Sequence, residues 1–288
     1  MRKLLWLMVW LALSCGMAWA AGQAPAGYVV AISLKGQDLA QKTAIVRQGK
    51  ELEPRLMMPV FEGDAIFLRD MQSRITVELG NGQTVDVGGG TPRYEVKGEI
   101  DTGDDTWSII AAVGAILGSS GSDAGIAPDT MAAKGMGITV PMAVHNANYL
   151  VRGSRGIWLA WQGGTAPYSV SLGAEGAENL HQDSINVPEI TFSMPADSPE
   201  RFAVIIRDAN GGSAVVRFRV AEALPDLPGD VAARRDSPAK HLAAAAWLTG
   251  VKDGAWSVEA AQALKAKADS EPAAAVLLGQ IEAGWRLK

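Results

Sequence analysis

The stretch that decides the fold is Arg74-Ile-Thr-Val-Glu-Leu-Gly-Asn-Gly-Gln-Thr-Val-Asp-Val87. Apolar and polar residues alternate along its first half, a period of two that is typical of a strand with one buried face. The two sets are Ile75, Val77 and Leu79 on the apolar side and Arg74, Thr76 and Glu78 on the polar side. Asn81-Gly82 supplies the positive φ angles that a tight hairpin turn requires. The stretch therefore predicts a β-hairpin.

Two long regions around the hairpin consist of short β-rich runs separated by glycine and polar residues. Residues 27–99 predict an all-β domain, with further strands at Tyr28–Leu34, Thr43–Arg47 and Asp64–Leu68. Residues 138–222 predict an antiparallel β-sandwich. Its strand candidates are Ile138–Pro141, Gly156–Trp161, Tyr168–Leu172, Glu189–Phe192, Phe202–Arg207 and Ala214–Val220, the last two joined by a hairpin loop at Asp208–Gly212.

Residues 100–137 between these regions have a different character. The apolar run Trp107–Leu117 has eleven residues, too few to cross a bilayer. We expect it to pack against the neighbouring domains or to form a short amphiphilic helix. Contact with a membrane surface or a partner is a minor alternative, since exposed apolar patches usually mark contacts. The glycine and serine residues that follow predict a flexible linker.

The last region, residues 236–288, predicts a short helical tail after the proline-bracketed linker Leu224–Pro228. Ser237-Pro238 is a helix N-cap followed by proline in the first turn, and Gly250 ends that helix. Ser257 is expected to cap a second helix through Ala268, and Pro272 to start a third through Ala283. The fold class is therefore mainly β, with two β domains and a C-terminal α-helical tail.

Residues 1–20 predict a secretory signal peptide. Arg2-Lys3 precedes the apolar run Leu4–Leu13, and Ala18-Trp19-Ala20 gives the small-x-small pattern of a cleavage site. We therefore expect a periplasmic protein that begins at Ala21; secretion or an uncleaved N-terminal anchor are the alternatives, and lipidation at Cys15 is a further one. Cys15 is the single cysteine, so the cleaved chain has no disulfide, no thiol chemistry and no cysteine zinc site.

The net charge and the spacing of the ionisable residues argue against several functions. The chain has 26 Lys+Arg against 31 Asp+Glu, a net charge of −5, without a basic cluster, so we expect no nucleic acid partner. The three histidines, His145, His181 and His241, show no metal-ligand spacing, and we expect neither a metal nor a cofactor. The acidic group that runs from Glu99 to Asp105 lacks the spacing of a known calcium loop, and we expect it to be a solvated turn.

One short motif matches a catalytic pattern. Ser237-Pro-Ala-Lys240 has the Ser-x-x-Lys spacing of penicillin-recognising enzymes. That chemistry also needs a Ser-x-Asn motif and a Lys-Thr-Gly strand, and neither follows Lys240. A helix cap explains Ser237 without catalysis. We therefore predict that the protein is not an enzyme.

Three segments of the first β region resemble the FecR-domain family. They are Ile45-Val-Arg-Gln-Gly49, Met58-Pro-Val-Phe-Glu-Gly-Asp-Ala-Ile66 and Ser73-Arg-Ile-Thr-Val-Glu-Leu-Gly-Asn-Gly82. The resemblance covers residues 27–99 and implies an all-β periplasmic or cell-exterior domain used in signalling or binding, with no catalytic residues. Members of this family that control a sigma factor carry a cytoplasmic segment before a membrane span. Only Met1-Arg2-Lys3 precedes the apolar run here, so direct sigma-factor regulation is not expected.

The second β region looks like the immunoglobulin-like module that follows some exported FecR domains. Leu159-Ala-Trp-Gln-Gly-Gly-Thr-Ala-Pro-Tyr-Ser-Val170 is similar to the Trp-x-Gly-Gly…Pro-Tyr turn of that module. Asp208-Ala-Asn-Gly211 is similar to its late hairpin. Many sandwiches use such turn residues, so this resemblance rests on fewer specific positions than the first.

Two functions follow as expectations. The first is an interaction or sensory scaffold in cell-envelope signalling that binds an envelope protein partly through its helical tail. The second is a module that binds carbohydrate or cell-wall polymer by stacking aromatic rings on sugars. Trp158 and Trp161 are three residues apart in a predicted strand, so they point to opposite faces. The candidate interaction residues are Trp158, Trp161, Tyr168, Trp247 and Trp256.

Overall fold

A computed structural model describes residues 25–33, 42–98, 109–115, 137–144, 147–174, 180–194 and 196–288. The predicted signal peptide 1–20, the Gly/Ser linker, the acidic group Glu99–Asp105 and His145 lie outside the described residues. The predicted fold class is confirmed: the structure is mainly β, with several antiparallel sheets and short helices near the C-terminus.

The first β unit consists of two four-stranded antiparallel sheets packed face to face. One has the strand order β4-β1-β6-β7 and the other β3-β2-β5-β8. Their apolar faces meet in a core that includes Val29, Ile45, Ile66 and Ile75. The strands are β1 Gly27–Ser33, β2 Thr43–Arg47, β3 Lys50–Leu52, β4 Pro59–Val60, β5 Ala65–Leu68, β6 Arg74–Leu79, β7 Thr84–Gly88 and β8 Arg93–Glu95.

The predicted hairpin is confirmed as β6 and β7, with Val77 opposite Val85 and Ile75 opposite Val87. Its turn is longer than the sequence predicts, because the loop closes with the Leu79 N–H donating to Gln83 C=O at 2.8 Å. Only Gly82 has a positive φ, of 76°. Asn81 contributes through its side chain instead, since its Oδ1 accepts a hydrogen bond from the Gln83 N–H at 2.9 Å.

The second β unit has a five-stranded sheet of order β12-β11-β14-β15-β9 and a two-stranded sheet, β10-β13. All of its strand pairs are antiparallel except β15 with β9. Residues 138–141, predicted as a strand, form a single bridge between Thr139 and Gln162 instead. The strands are β9 Asn148–Val151, β10 Arg155–Ala160, β11 Tyr168–Ala174, β12 Leu180–Ile185, β13 Glu189–Met194, β14 Arg201–Arg207 and β15 Ser213–Ala221.

The C-terminal region forms four helices, α1 Gly229–Ala233, α2 Pro238–Gly250, α3 Ser257–Lys265 and α4 Pro272–Glu282. Ser237 caps α2 as predicted, its hydroxyl accepting from the Lys240 N–H. The predicted cap at Ser257 is wrong: Trp256 holds the N-cap position, and the buried Ser257 hydroxyl has no hydrogen-bond partner among the described residues. Helix α3 ends at Lys265 rather than at the predicted Ala268.

The helices are a layer of the molecule's main core rather than a separate tail. Alternate residues of β1 face opposite ways, so Val29 lies in the first core while Tyr28 and Val30 join the helices. Alanine-rich faces of α2, α3 and α4 allow this close approach, and the same core continues into the second β unit through Trp158. Within the described residues, no helix has the length and apolar character needed to cross a membrane.

The apolar run that precedes the linker also enters this core. Residues 109–115 are helical, and Ile109, Ile110 and Val113 are buried. A side chain at Gly114 would come within 2.9 Å of the Met57 carbonyl oxygen, so the segment packs tightly on the first β unit. The expectation that this run packs against neighbouring parts of the chain is confirmed for these residues.

Candidate functional site

The first sheet meets the helical layer through a buried carboxylate. Glu78 lies on the polar side of β6, yet it is only 1% exposed. It accepts hydrogen bonds from Ser237 Oγ at 2.7 Å and from the Ala239 N–H at 3.0 Å. Because the first N–H groups of a helix have no partner within the helix, a carboxylate there satisfies them and interacts favourably with the helix dipole. Glu78 therefore ties the hairpin to the start of α2.

Two further groups complete this joint. Arg234 Nη1 lies 3.8 Å from Glu78 Oε1. Tyr28 is opposite Glu78 in the strand pair; burial raises the pKa of its hydroxyl, the charge of Arg234 opposes that rise, and Glu78 adds to it. The joint is thus a charged cluster enclosed between the first sheet and the helices. Its polar groups hold these two layers together.

The first β unit contains a second charge pair, in which the carboxylate is buried. Asp64 is 2% exposed, and Arg47 donates to it from Nε at 3.0 Å and from Nη2 at 2.8 Å. Arg47 also donates to the Pro59 C=O, and its guanidinium lies 4.4 Å from the centre of the Phe61 ring. The Phe61 N–H donates to Asp64 at 2.9 Å. The Arg and Asp of the two motif segments therefore hold one another across the sheet.

Two turn segments of the second β unit, around Thr165 and Asp208, also touch. Asp208 accepts hydrogen bonds from the N–H groups of Asn210 and Gly212 in its own loop and from the Thr165 N–H at 3.1 Å. The Ala209 N–H donates to the Thr165 C=O at 3.0 Å, and Asn210 Nδ2 donates to Thr165 Oγ1 at 2.9 Å. These residues fix two loops at one end of the sandwich.

Helix α3 covers the outer edge of β10, the strand that carries Trp158. The Gln262 side chain accepts a hydrogen bond from the Trp158 N–H at 2.8 Å and donates to the Trp158 C=O at 2.8 Å. The amide thus makes the two backbone bonds that a neighbouring strand would make. One side chain of α3 closes the strand edge at this residue.

One helical turn earlier, Glu259 makes a charged contact with the same β unit. Its Oε2 accepts from the Val151 N–H at 3.1 Å and from Arg155 Nη2. The Glu259 carboxylate is 8% exposed and the Arg155 side chain 31% exposed, so one side of the pair faces solvent. Glu259 and Gln262 together fix α3 against β9 and β10.

An open groove remains beside these contacts, between α3 and the two-stranded sheet. Its volume is about 470 Å³, within the range of small-ligand sites. We call it the edge groove. It is lined by Arg155, Gly156, Trp158, Thr191, Glu259, Gln262, Ala263, Lys265 and Ala266.

The Gln262 amide and one carboxylate oxygen of Glu259 in the edge groove are already bonded. Glu259 and Gln262 bond to the β unit as described, whereas no hydrogen bond of the described residues uses Arg155 Nε, Arg155 Nη1 or the Lys265 ammonium. Arg155 and Lys265 therefore offer hydrogen-bond donors to a ligand.

Trp158 forms the wall of the groove and is 6% exposed. Its Nε1 donates to Glu189 Oε2 at 2.9 Å, and the Lys265 ammonium lies 4.7 Å from the ring centre. Burial raises the pKa of nearby Glu282, with Lys265 lowering it and Glu189 raising it. Charged side chains of both signs thus surround the indole.

The other candidate interaction residues are not gathered on an exposed surface. Trp161 and Tyr168 are buried and make an edge-to-face contact with ring centres 5.2 Å apart. Trp256 is buried and stacks on Tyr149 at 5.1 Å, while Trp247 is half-buried against the main core. Only Trp158 of the five lines the edge groove.

The Ser-x-x-Lys segment is arranged as a helix start. The Ser237 hydroxyl donates to Glu78 and accepts from the Lys240 N–H. Lys240 Nζ donates instead to the Ala232 and Arg234 carbonyl oxygens, at 3.0 and 2.7 Å. His241 contacts Asp236 and Glu271 through its two ring nitrogens. The part of the chain that the structure describes contains no cluster of acidic, histidine or cysteine residues arranged for a metal ion.

Sequence reasoning missed the polar residues of α3. Glu259 and Gln262 have the i, i+3 spacing of one helix face, and this polar pair is visible in the predicted helix. The identity of the strand beneath it is not visible, because β10 lies about one hundred residues earlier in the chain, a separation of 104 between Trp158 and Gln262.

Comparison with known proteins gives no significant match to a family model, a curated protein or a solved structure. The geometry of the chain's own residues therefore carries the functional argument.

Proposed function

We propose that the chain is an exported, non-enzymatic FecR-like protein that acts as a periplasmic interaction or sensory scaffold in cell-envelope signalling. The observation that carries this proposal is the edge groove, an open site held between a β unit and a helical layer. The signal-peptide pattern of residues 1–20 supports export. The Arg47–Asp64 pair supports the family likeness, since it gives the two motif segments a shared structural purpose.

A scaffold needs parts that keep a fixed relative position. Glu78 binds the start of α2 to the first β unit, while Glu259 and Gln262 bind α3 to the second. Both helices share one continuous apolar core with both units. A partner held in the edge groove would therefore be presented in a defined orientation to the first β unit.

Carbohydrate or cell-wall-polymer binding is the second candidate. Trp158 has a carboxylate, Glu189, and an amide, Gln262, as direct hydrogen-bonding neighbours, which is a suitable setting for a sugar. However, the ring is 6% exposed and Lys265 covers it. Little of the indole is open for stacking, so this function ranks below protein binding.

The test is affinity capture from envelope extract of the source cells, using the whole chain from Ala21 to Lys288 as bait. A chain cut after Pro228 is not a suitable bait, because α2, α3 and α4 complete the main core. We expect one protein to be retained in near-stoichiometric amount and to be displaced by excess free bait.

Retention of cell-wall polymer without protein would favour the second candidate instead. A panel of hydrolase substrates tests the non-enzymatic part of the proposal. Turnover by the purified chain that disappears in Ser237→Ala would overturn it.

A further inference from the structure

Strand β10 has a backbone edge that other strands of the described chain do not cover. It pairs only with β13, through partners such as Ile157 with Phe192 and Trp158 with Thr191. In an antiparallel pair, successive residues alternately point their N–H and C=O towards the partner strand and away from it. The Trp161 N–H bonds towards the β13 side, to Pro188, and the Trp158 groups bond away from it, to Gln262.

This alternation directs the backbone groups of Gly156 away from β13, as it does those of Trp158. Gly156 is exposed and lines the edge groove. No hydrogen bond of the described residues uses its N–H or C=O on that side. Gln262 thus substitutes for a neighbouring strand at Trp158, while the corresponding position two residues earlier is open.

Residue 156 has no side chain, and one there would crowd the paired strand β13. A Cβ built there would lie 3.0 Å from Thr191 Cγ2, which is tighter than ordinary van der Waals contact. Glycine in a strand often marks a place where another backbone approaches closely. Ala263 and Ala266, both exposed, form the opposite wall and leave room for a chain.

Charge in the groove selects the ligand further. Arg155 and Lys265 have unused donors, whereas Glu259 Oε2 and the Gln262 amide are already bonded. Glu189 is bonded to the Trp158 indole, and Glu282 lies near Lys265. The unused donors of Arg155 and Lys265 suit an acceptor group such as a carboxylate.

We propose that the edge groove binds an extended peptide segment of a protein partner, which exchanges backbone hydrogen bonds with Gly156 and places a carboxylate beside Arg155 and Lys265. This is strand addition at an open sheet edge, with the backbone bonds giving affinity and the charge contact giving specificity. The inference rests on the proposed function and names the site and chemistry of the partner.

The test starts from short random linear peptides displayed on phage and selected on the whole chain. Enriched peptides are then synthesised, and their affinities are measured by fluorescence anisotropy. Ala263→Trp fills the groove, and Ala275→Trp places the same side chain on an exposed alanine of α4 as the matched control. Lys265→Glu reverses the charge in the groove, with exposed Lys97→Glu as its control.

We expect enriched peptides to contain Asp or Glu and to bind Ala263→Trp at least about tenfold more weakly than wild type. Lys265→Glu and replacement of the peptide carboxylate by an amide should each weaken binding by about fivefold or more. Both control variants should bind as wild type does, and bound peptide should slow hydrogen exchange at the Gly156 amide. Equal melting curves for the two tryptophan variants show that the folds match.

Two results overturn the inference: selection that enriches no peptide, or peptides whose binding is the same in Ala263→Trp. The capture experiment separates this failure from failure of the proposed function. If the Ala263→Trp variant still retains a captured envelope protein, the scaffold function stands. The partner then binds at a surface other than the edge groove. Loss of all specific capture by the wild-type chain contradicts the scaffold itself.

Discussion

Glu78 accepts a hydrogen bond of 2.7 Å from the hydroxyl of Ser237, a residue 159 positions later in the chain. The carboxylate belongs to a hairpin strand and the hydroxyl to the cap of a helix. Their contact makes a residue on the polar side of a strand part of the buried joint between sheet and helices.

Removal of this carboxylate should destabilise the fold strongly. Glu78→Ala leaves the buried Ala239 N–H without its acceptor and the Arg234 guanidinium without its counter-charge, and we expect a loss of about 3 kcal/mol in the free energy of unfolding. Urea denaturation measures the loss. The control is Glu95→Ala on exposed β8, which should leave the midpoint unchanged. An unchanged midpoint in Glu78→Ala would show that the joint contributes nothing to the free energy of unfolding.

The Gln262 amide that closes the edge of β10 should contribute measurably to the free energy of unfolding. Gln262→Ala removes the partners of the Trp158 N–H and C=O, and we expect a loss of about 2 kcal/mol. Hydrogen exchange at the Trp158 amide should also become faster, a local effect that a general loss of packing does not single out. Gln280→Ala on α4 is the matched control. Exchange at Trp158 that stays slow in Gln262→Ala would contradict the role of the side chain.

The stability that the Arg47–Asp64 pair contributes should depend on the planar shape of the guanidinium. Arg47→Lys keeps the charge but loses the two-point contact and the bond to Pro59, so we expect about 2 kcal/mol of destabilisation. Arg69→Lys is the control, because Arg69 also makes two contacts with a carboxylate, Glu51, but both side chains are largely exposed. Exposed pairs contribute little to stability. Equal effects of the two substitutions would refute the argument from burial.

The pKa of Asp236 is lowered mainly by its hydrogen bond with His241, whose charge lowers it further. A lowered carboxyl pKa contributes stability above the ordinary pKa of aspartate, and this contribution is lost as pH falls through the lowered value. His241→Gln should therefore return the Asp236 pKa towards its usual range, as followed by carboxyl NMR. The Asp70 pKa, lowered mainly by the Gln72 N–H, is the internal control and should not move. A lowered Asp236 pKa that persists in His241→Gln would assign the shift to another group.

The mass of the mature chain tests the predicted signal-peptide cleavage directly. Expression in a bacterium with a functional export pathway should yield a periplasmic chain that begins at Ala21, as measured by intact mass and N-terminal sequencing. Ala20→Leu should block cleavage, because signal peptidase needs a small residue at that position. Ala24→Leu, the same substitution beyond the cleavage pattern, is the control. A full-length chain in the cytoplasm would contradict the export prediction.

Local signals in the sequence predicted the hairpin β6–β7, the loop at Asp208–Gly212 and the Ser237 cap, because each depends on residues a few positions apart. The burial of Glu78 could not be predicted in this way. Its place on the polar side of a strand indicates solvent, and only the distant helix α2 encloses it.

The same limit applies to the candidate site. The sequence placed Trp158 in a strand and Glu259 and Gln262 on a helix, yet nothing local pairs that strand with that helix. The edge groove exists because these elements meet, so its lining could not be recognised from either segment alone. Trp161, Tyr168 and Trp256 are aromatic, a character that core packing and surface binding share, so the sequence alone does not separate the two roles.

The helical layer affects the order in which parts of the newly made chain can fold. One face of the first sheet, including Tyr28 and Glu78, is covered by helices from the very end of the chain. Contacts between residues so far apart in sequence slow folding, because a long loop must close before they form. A newly made chain must therefore hold its N-terminal strands with one face uncovered until residues 238–282 are available. During that interval we expect the chain to depend on chaperones to avoid aggregation.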